Sequence, residues 1–396
     1  MKKFLSLFLV LSVLLMAVCA VSADDDFKVG VILLHDEQTG YDAAHIDGVR
    51  GAMERLDLDD DQVIIKYNIG ENEQCYDAAV DLAEQGCTLI MSDSYGHQAF
   101  LKLAAEEYPE ITFVSATGDT AWKDGLDNFS NMFPHTYESR YVSGVVAGMK
   151  LKQLMDDGKV TDPHIGYVGA YPYDEVVSGY TGFFLGIRSI VPEAYMEVIY
   201  TNDWDNFEKE KMAAESLIAR GCVIIGQHAD SQGAPSAVES ARKNGTDVYS
   251  IGYNIDMREA APTGALTSAQ NNWVELYTHM IGLAMKGEKL PVDYSIGYAD
   301  NANQISELGD SCAPGTAEAV EAVEAAIKDG TLHVFDTSTF TVKGETVTHW
   351  FALDTEGDFV PDQGEAIADG YFHESEWKSA PSFGIRIDGI TELTNE

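Results

Sequence analysis

Apolar residues fall in short continuous runs along this chain. Each run ends in a polar or aromatic loop, and a stretch of helical spacing follows. Residues 29–34 (VGVILL) set the pattern. The run is rich in branched side chains, as in a strand buried on both faces. Residues 35–40 are polar and turn-forming, and helical spacing runs from about Tyr41 to residue 56. Further strands are predicted at 63–67, 88–91, 111–115 and 128–133, with helices at 76–85 and 98–107 between them. Gly86 stops the first of these helices.

The construction then starts again. A long helix over 137–154 contains Gly144 and Gly148, which allow close packing. Strands at 165–168, 196–200, 223–225 and 248–251 alternate with helices at 176–190, 207–220 and 236–244. A strand at 266–270 leads into a helix from 272 to about 285, and 316–328 is helical. From 332 the character turns to β, with strands expected at 333–335, 340–342 and 346–351. Strands separated by helices imply α/β lobes, each a parallel sheet flanked by helices with right-handed crossovers. The tail to Glu396 reads as a β appendage on the second lobe.

The chain has 396 residues, enough for two domains, and 45% of them are apolar, enough for a full core. With 65 acidic against 25 basic residues the net charge is −40. A nucleic acid would be repelled and is excluded as a partner. The acids read as a strongly hydrated surface, as in a salt-adapted organism. The run DLDDD at 57–61 lacks the glycine and ligand spacing of a calcium loop.

Lys2 and Lys3, the apolar run 4–18 and the small residues after it form an export signal over 1–23. Two fates compete there. Residues 21–23 suit cleavage before Asp24, whereas Cys19 stands where a lipid anchor would attach, with a bulky Val18 before it. The expected location is periplasmic or cell-surface. No CxxC pattern occurs, so no zinc or redox motif is visible. Cys75 and Cys87 flank a helix that would hold them about 16 Å apart, too far for a bridge. A pairing with Cys312 stays open.

No catalytic motif is present: there is no GxSxG, P-loop or HExxH. No enzyme activity, cofactor or metal is expected. Recognition chemistry recurs at strand ends instead. Asp36, Tyr41, Asp42 and His45 follow the first strand, where ligands of open α/β sheets sit. Tyr95, Trp204, Tyr253 and Trp273 offer further flat faces. Asp93, Gln227, Asp230, Asn254 and Asp256 offer polar groups. A planar nitrogen heterocycle suits such a set. Helix capping explains Asp230 and Asp256 equally well, and core packing explains Trp273.

Seven segments in register resemble the basic membrane protein family of substrate-binding lipoproteins, which includes purine nucleoside receptors of ABC transporters. They are GYDAAHIDGVR at 40–50, TYESRYVSGVVAG at 136–148, IGYVGAYPYDEV at 165–176, TNDWDNFEKEKMAAESLI at 201–218, QHADS at 227–231, IGYNIDM at 251–257 and DGTLHVF at 329–335. The resemblance implies a type I periplasmic-binding-protein-like fold closing across a hinge crossed three times. Lobe 1 would be 27–136 plus about 272–290, lobe 2 would be 137–271 plus about 291–335, and 336–396 the appendage. It places Tyr41 and Trp204 at the family's two stacking positions, with Asp230 and the loop 252–256 at polar contacts. The nucleoside-binding branch has a lysine where this chain reads Asn271-Asn272-Trp273. That departure favours a bare, adenine-like nucleobase over a nucleoside. Expected partners are the purine-type ligand and an ABC permease, with the protein itself a monomer. The alternatives are a nucleoside held without that lysine, another small planar heterocycle, or a sensing protein for a membrane signalling receptor.

Overall fold

The computed structural model describes residues 27–393. The expected export signal over 1–23 and Cys19 lie outside the described residues. The first sheet is built from β1 (Val29–Ile32), β2 (Val63–Lys66), β3 (Leu89–Ser92), β4 (Thr112–Ala116) and β5 (Phe129–Met132). Between them run α1 (Gly40–Leu56), α2 (Glu73–Glu84), α3 (Gln98–Glu107) and the single turn α4 (Ala121–Asp124). Every residue of β1 is buried, as its unbroken apolar run predicts. The strand order is 2-1-3-4-5, all parallel.

The second lobe repeats this order. It comprises α5 (Thr136–Asp156), β6 (His164–Gly169), α6 (Asp174–Arg188), β7 (Tyr195–Tyr200), α7 (Phe207–Ala219), β8 (Ile224–His228), α8 (Gly233–Lys243), β9 (Tyr249–Tyr253) and β10 (Ala265–Asn271). Its strands run 7-6-8-9-10, again parallel. Helices α5 and α6 touch backbone to backbone. A Cβ on Gly144 would lie 2.1 Å from the carbonyl oxygen of Phe183, and one on Gly186 2.2 Å from that of Tyr141. Only glycine permits this approach, as Gly144 and Gly148 in the predicted helix suggest.

The chain then returns to the first lobe. Helix α9 (Trp273–Met285) packs on α1, where Gly48 leaves room for Trp273. Strand β11 (Asp293–Tyr294) joins β5, although residues from 291 onward were expected in the second lobe. Strand β12 (Asn303–Ile305) runs antiparallel to β10, and α10 (Thr316–Lys328) packs on α5. The chain thus passes between the sheets at 133–135, at 272 and at 295–302.

The tail departs most from expectation. Residues 333–335, 340–342 and 346–350 form no regular strands. Short strands occur instead at β13 (Phe351–Leu353), β14 (Gln363–Glu365), β15 (Ile367–Ala368) and β16 (Tyr371–Phe372). Phe335, Phe340, Phe372 and Phe383 pack into the second lobe's core. Finally β17 (Ile390–Leu393) becomes the outer strand of the second sheet beside β7. The tail also reaches the first lobe, where Ser379 donates to Asp293 at 2.9 Å from its hydroxyl and Lys378 lies 3.4 Å from Asp119. All four cysteines of the described residues are free, so Cys312 makes no pairing. No helix of the described residues is long and apolar enough to cross a membrane.

Candidate functional site

The two sheets point the carboxyl ends of their strands at a common cleft. In each, the strand order reverses between neighbouring strands, β1/β3 in one and β6/β8 in the other, and such points open a crevice. The cleft holds about 390 Å³, part of it open to solvent. The first lobe lines it with Leu34 and His35 after β1, Tyr41 and Asp42 on α1, Asp93, Ser94 and Tyr95 after β3, and Thr117 after β4. The second contributes Glu175 on α6, Trp204 after β7, Asp230 after β8 and Tyr253 on β9.

The principal rings are held rigidly. The Tyr41 hydroxyl donates to the backbone carbonyl of Asp93 at 2.9 Å. Its ring rests on His45, with centroids 4.5 Å apart, and meets Trp273 edge-on at 6.2 Å. Trp204 is braced by Tyr171 at 5.3 Å and Tyr173 at 6.3 Å, while its carbonyl accepts from the Asp230 amide at 2.8 Å. Two aromatic faces, one from each lobe, therefore border one cavity.

Four carboxyl groups share the cleft, and their surroundings drive them apart. Burial pushes Asp42 up, yet the His35 side chain and backbone N–H outweigh it and leave Asp42 below the usual range. The same contact raises His35. Burial first, then the neighbouring Asp42 charge, raises Asp93 well above the usual range, although its Oδ1 accepts the Leu34 amide at 3.1 Å. Asp230 is raised by burial and then by the charges of Glu210 and Asp42. Burial lifts Glu175 to about 7 against the pull of Arg140. Among the described residues, no lysine or arginine lines the cleft. Asp93 Oδ2 and the Tyr253 hydroxyl are buried without a hydrogen-bond partner among the described residues. Thr117, a β-branched residue, holds φ at 61°, a strained value that functional sites tolerate.

Of the residues singled out in the sequence, the structure gathers Tyr41, Asp42, Asp93, Tyr95, Trp204, Asp230 and Tyr253 around the cavity. Asn254 stands behind it and donates to Asp230 Oδ1 at 2.8 Å, fixing that carboxyl. Gln227 is turned inward, its amide donating to the carbonyls of Ala229 and Ser231. Asp256 is exposed and forked by Arg258. Trp273 is 1% exposed and belongs to the first lobe's core, where it props Tyr41 from behind. His45 lies beneath Tyr41, 2.8 Å from the Tyr277 hydroxyl, and burial lowers its pKa to about 3. Asp36 caps its own turn by accepting the Gln38 amide. Glu175 and Thr117 were not anticipated. Glu175 reads in sequence as a first-turn helix acid, and no local signal separates that role from one facing a cleft.

The family described as PnrA-like ABC transporter substrate-binding proteins matches residues 32–302. A purine-binding protein of Brucella abortus is 28% identical over 340 residues, covering 86% of this chain and 91% of the relative. A Haloferax volcanii ABC transporter protein named for glucose binding is 30% identical over 259 residues, covering 65% and 61%. An ABC transporter solute-binding protein of Aeropyrum pernix has the same fold, with a TM-score of 0.65 at 16% identity over 78% of this chain and 93% of that one.

Proposed function

The chain belongs to the Bmp family of PnrA-like ABC transporter substrate-binding proteins, and from that premise we propose that it captures a purine nucleobase, adenine-like, outside the cytoplasm and presents it to an ABC permease. The observation that carries the ligand is the placement of Tyr41 and Trp204 on opposite lobes of one cavity whose polar wall is made of carboxyls. A flat heterocycle between the rings gains about 1–3 kcal/mol per stacking face. Its N–H and amino groups find acceptors at Asp42, Asp93, Glu175 and Asp230, and its ring nitrogens find donors where those acids are protonated. Without a lysine or arginine in the lining, phosphorylated and carboxylated solutes gain no counter-charge, so nucleotides are rejected. The ligand selects the closed arrangement by contacting both lobes at once. The cleft binds its solute unchanged, as befits the substrate-binding family to which the chain belongs, and the protein works as a monomer.

A second reading rests on the same wall. Aromatic faces beside carboxylates also suit a neutral hexose, and one relative is named for glucose. Isothermal titration against adenine, guanine, hypoxanthine, adenosine, inosine, AMP and glucose decides. Adenine tightest and AMP silent is the expected order. A response to glucose alone, or to no purine, overturns the proposal. Delivery to a signalling receptor instead of a permease would appear as ligand-dependent capture of a sensor rather than of the importer.

A further inference from the structure

At the end of the second sheet opposite the cleft, three donors of different chemistry meet. His164 opens β6, Glu197 lies in β7, and Cys222 stands just before β8. Strand β6 runs between the other two, with His164 opposite Tyr195 and Ile165 opposite Ile224, so the sheet's register gathers residues far apart in the chain. One imidazole nitrogen, one carboxylate oxygen and the thiol sulfur all lie within 4.8 Å of one another. Sequence spacing gives no hint of this, because each donor comes from a different strand–helix unit.

The histidine is the second observation that points to a ligand. Its side chain is 7% exposed, and its Nε2 sits 3.1 Å from Glu197 Oε2 without an aligned hydrogen bond. The ring is fixed by stacking on Tyr195, with centroids 4.5 Å apart and planes 16° from parallel. Cys222 is buried and reduced. Arg220 forks the Glu197 carboxylate at 2.6 and 2.5 Å, which orients it but also sets a positive charge beside the cluster.

Imidazole, carboxylate and thiolate form a borderline-soft set that suits zinc-class ions. Calcium and magnesium take oxygen ligands. A four-coordinate ion at about 2.0–2.3 Å from N, O and S donors needs those donors roughly 3–4 Å apart. We propose that His164, Glu197 and Cys222 form a binding site for one divalent transition-metal ion of the zinc class, with solvent as the fourth ligand. The site ties the starts of β6, β7 and β8 together in a lobe that has no disulfide. Lying at the far end of the strands, it acts on stability and leaves the solute cleft alone.

Cobalt(II) is the probe. Added to the chelator-treated full chain, it gives a thiolate-to-cobalt charge-transfer band in the near ultraviolet, saturating at one ion per chain and erased by zinc. Cys222→Ser removes the band, and His164→Gln weakens cobalt binding at least about tenfold, while far-ultraviolet circular dichroism shows both variants folded. Arg220→Gln, at the surface, removes the opposing charge and tightens cobalt binding several-fold, which keeps the proposal testable if a core variant fails to fold. No band in the natural protein, a band that survives Cys222→Ser, or an Arg220→Gln affinity that is unchanged or weaker overturns the proposal.

Discussion

The Thr39 hydroxyl donates a 2.7 Å hydrogen bond to Asp205 Oδ2, and that bond spans the cleft. Thr39 precedes α1 in the first lobe, and Asp205 precedes α7 in the second. Beside it, a Cβ on Gly40 would stand 3.2 Å from the Asp230 carbonyl oxygen. The two lobes therefore meet along a seam that exists only when the cleft is shut. Thr39→Val keeps the shape and removes the bond. A net loss of about 1 kcal/mol in closure is expected, read as a roughly fivefold faster dissociation of adenine in stopped-flow fluorescence. An unchanged rate would show that closure does not depend on this contact.

Trp204 makes one face of the cavity, so Trp204→Ala is expected to weaken adenine binding by about 1–3 kcal/mol. Titration calorimetry measures it. The same substitution at Asp256 serves as contrast: its carboxylate is engaged by Arg258 at the surface, and adenine affinity there should stay as in the natural protein.

Gly144 sits where two helix backbones cross, and a methyl group would meet the Phe183 carbonyl oxygen at 2.1 Å. Backbone cannot yield as a flexible side chain can. Gly144→Ala is expected to cost about 3 kcal/mol, at the upper end of overpacking penalties. A shift of the urea midpoint at constant slope would report it.

Glu210 gives stability a pH dependence of definite sign. Its Oε1 accepts the Asn206 and Ser231 amides, and burial raises its pKa from 4.5 to about 7. Between those values the folded chain holds a proton that the unfolded chain has released. Stability therefore falls as pH rises through this window and levels off above it. Glu210→Gln keeps the accepting oxygen and should flatten the decline by about 2–3 kcal/mol between pH 5 and pH 8. Urea melts at the two pH values for both proteins give the comparison. A decline of the same size in the variant would locate the titrating group elsewhere.

Local pattern carried the fold wherever pairing partners are close in the chain. The run at 29–34, Gly86 after α2 and the glycines of α5 each announce an element by chemistry confined to a few residues. Strands β11, β12 and β17 gave no such signal, because two to four residues become strands only by finding an edge already built elsewhere. The cleft was legible to a similar depth. Asp93, Trp204 and Asp230 stand on strand-end loops and Tyr41 in the first turn of α1, and all four face the cavity. Gln227, Asp256 and Trp273 occupy comparable positions, yet their side chains turn toward backbone, solvent and core. Direction is set by neighbours such as Ser231, Arg258 and His45, and spacing does not encode it.

The pairing of β17 with β7 has a further consequence for how this polypeptide is made. Strand β7 leaves the ribosome long before its outer neighbour exists, and until then it is an open edge that other unfinished chains can join. Loss of the final strand, which carries none of the residues that line the cleft, would bare the longer β7 at that edge again.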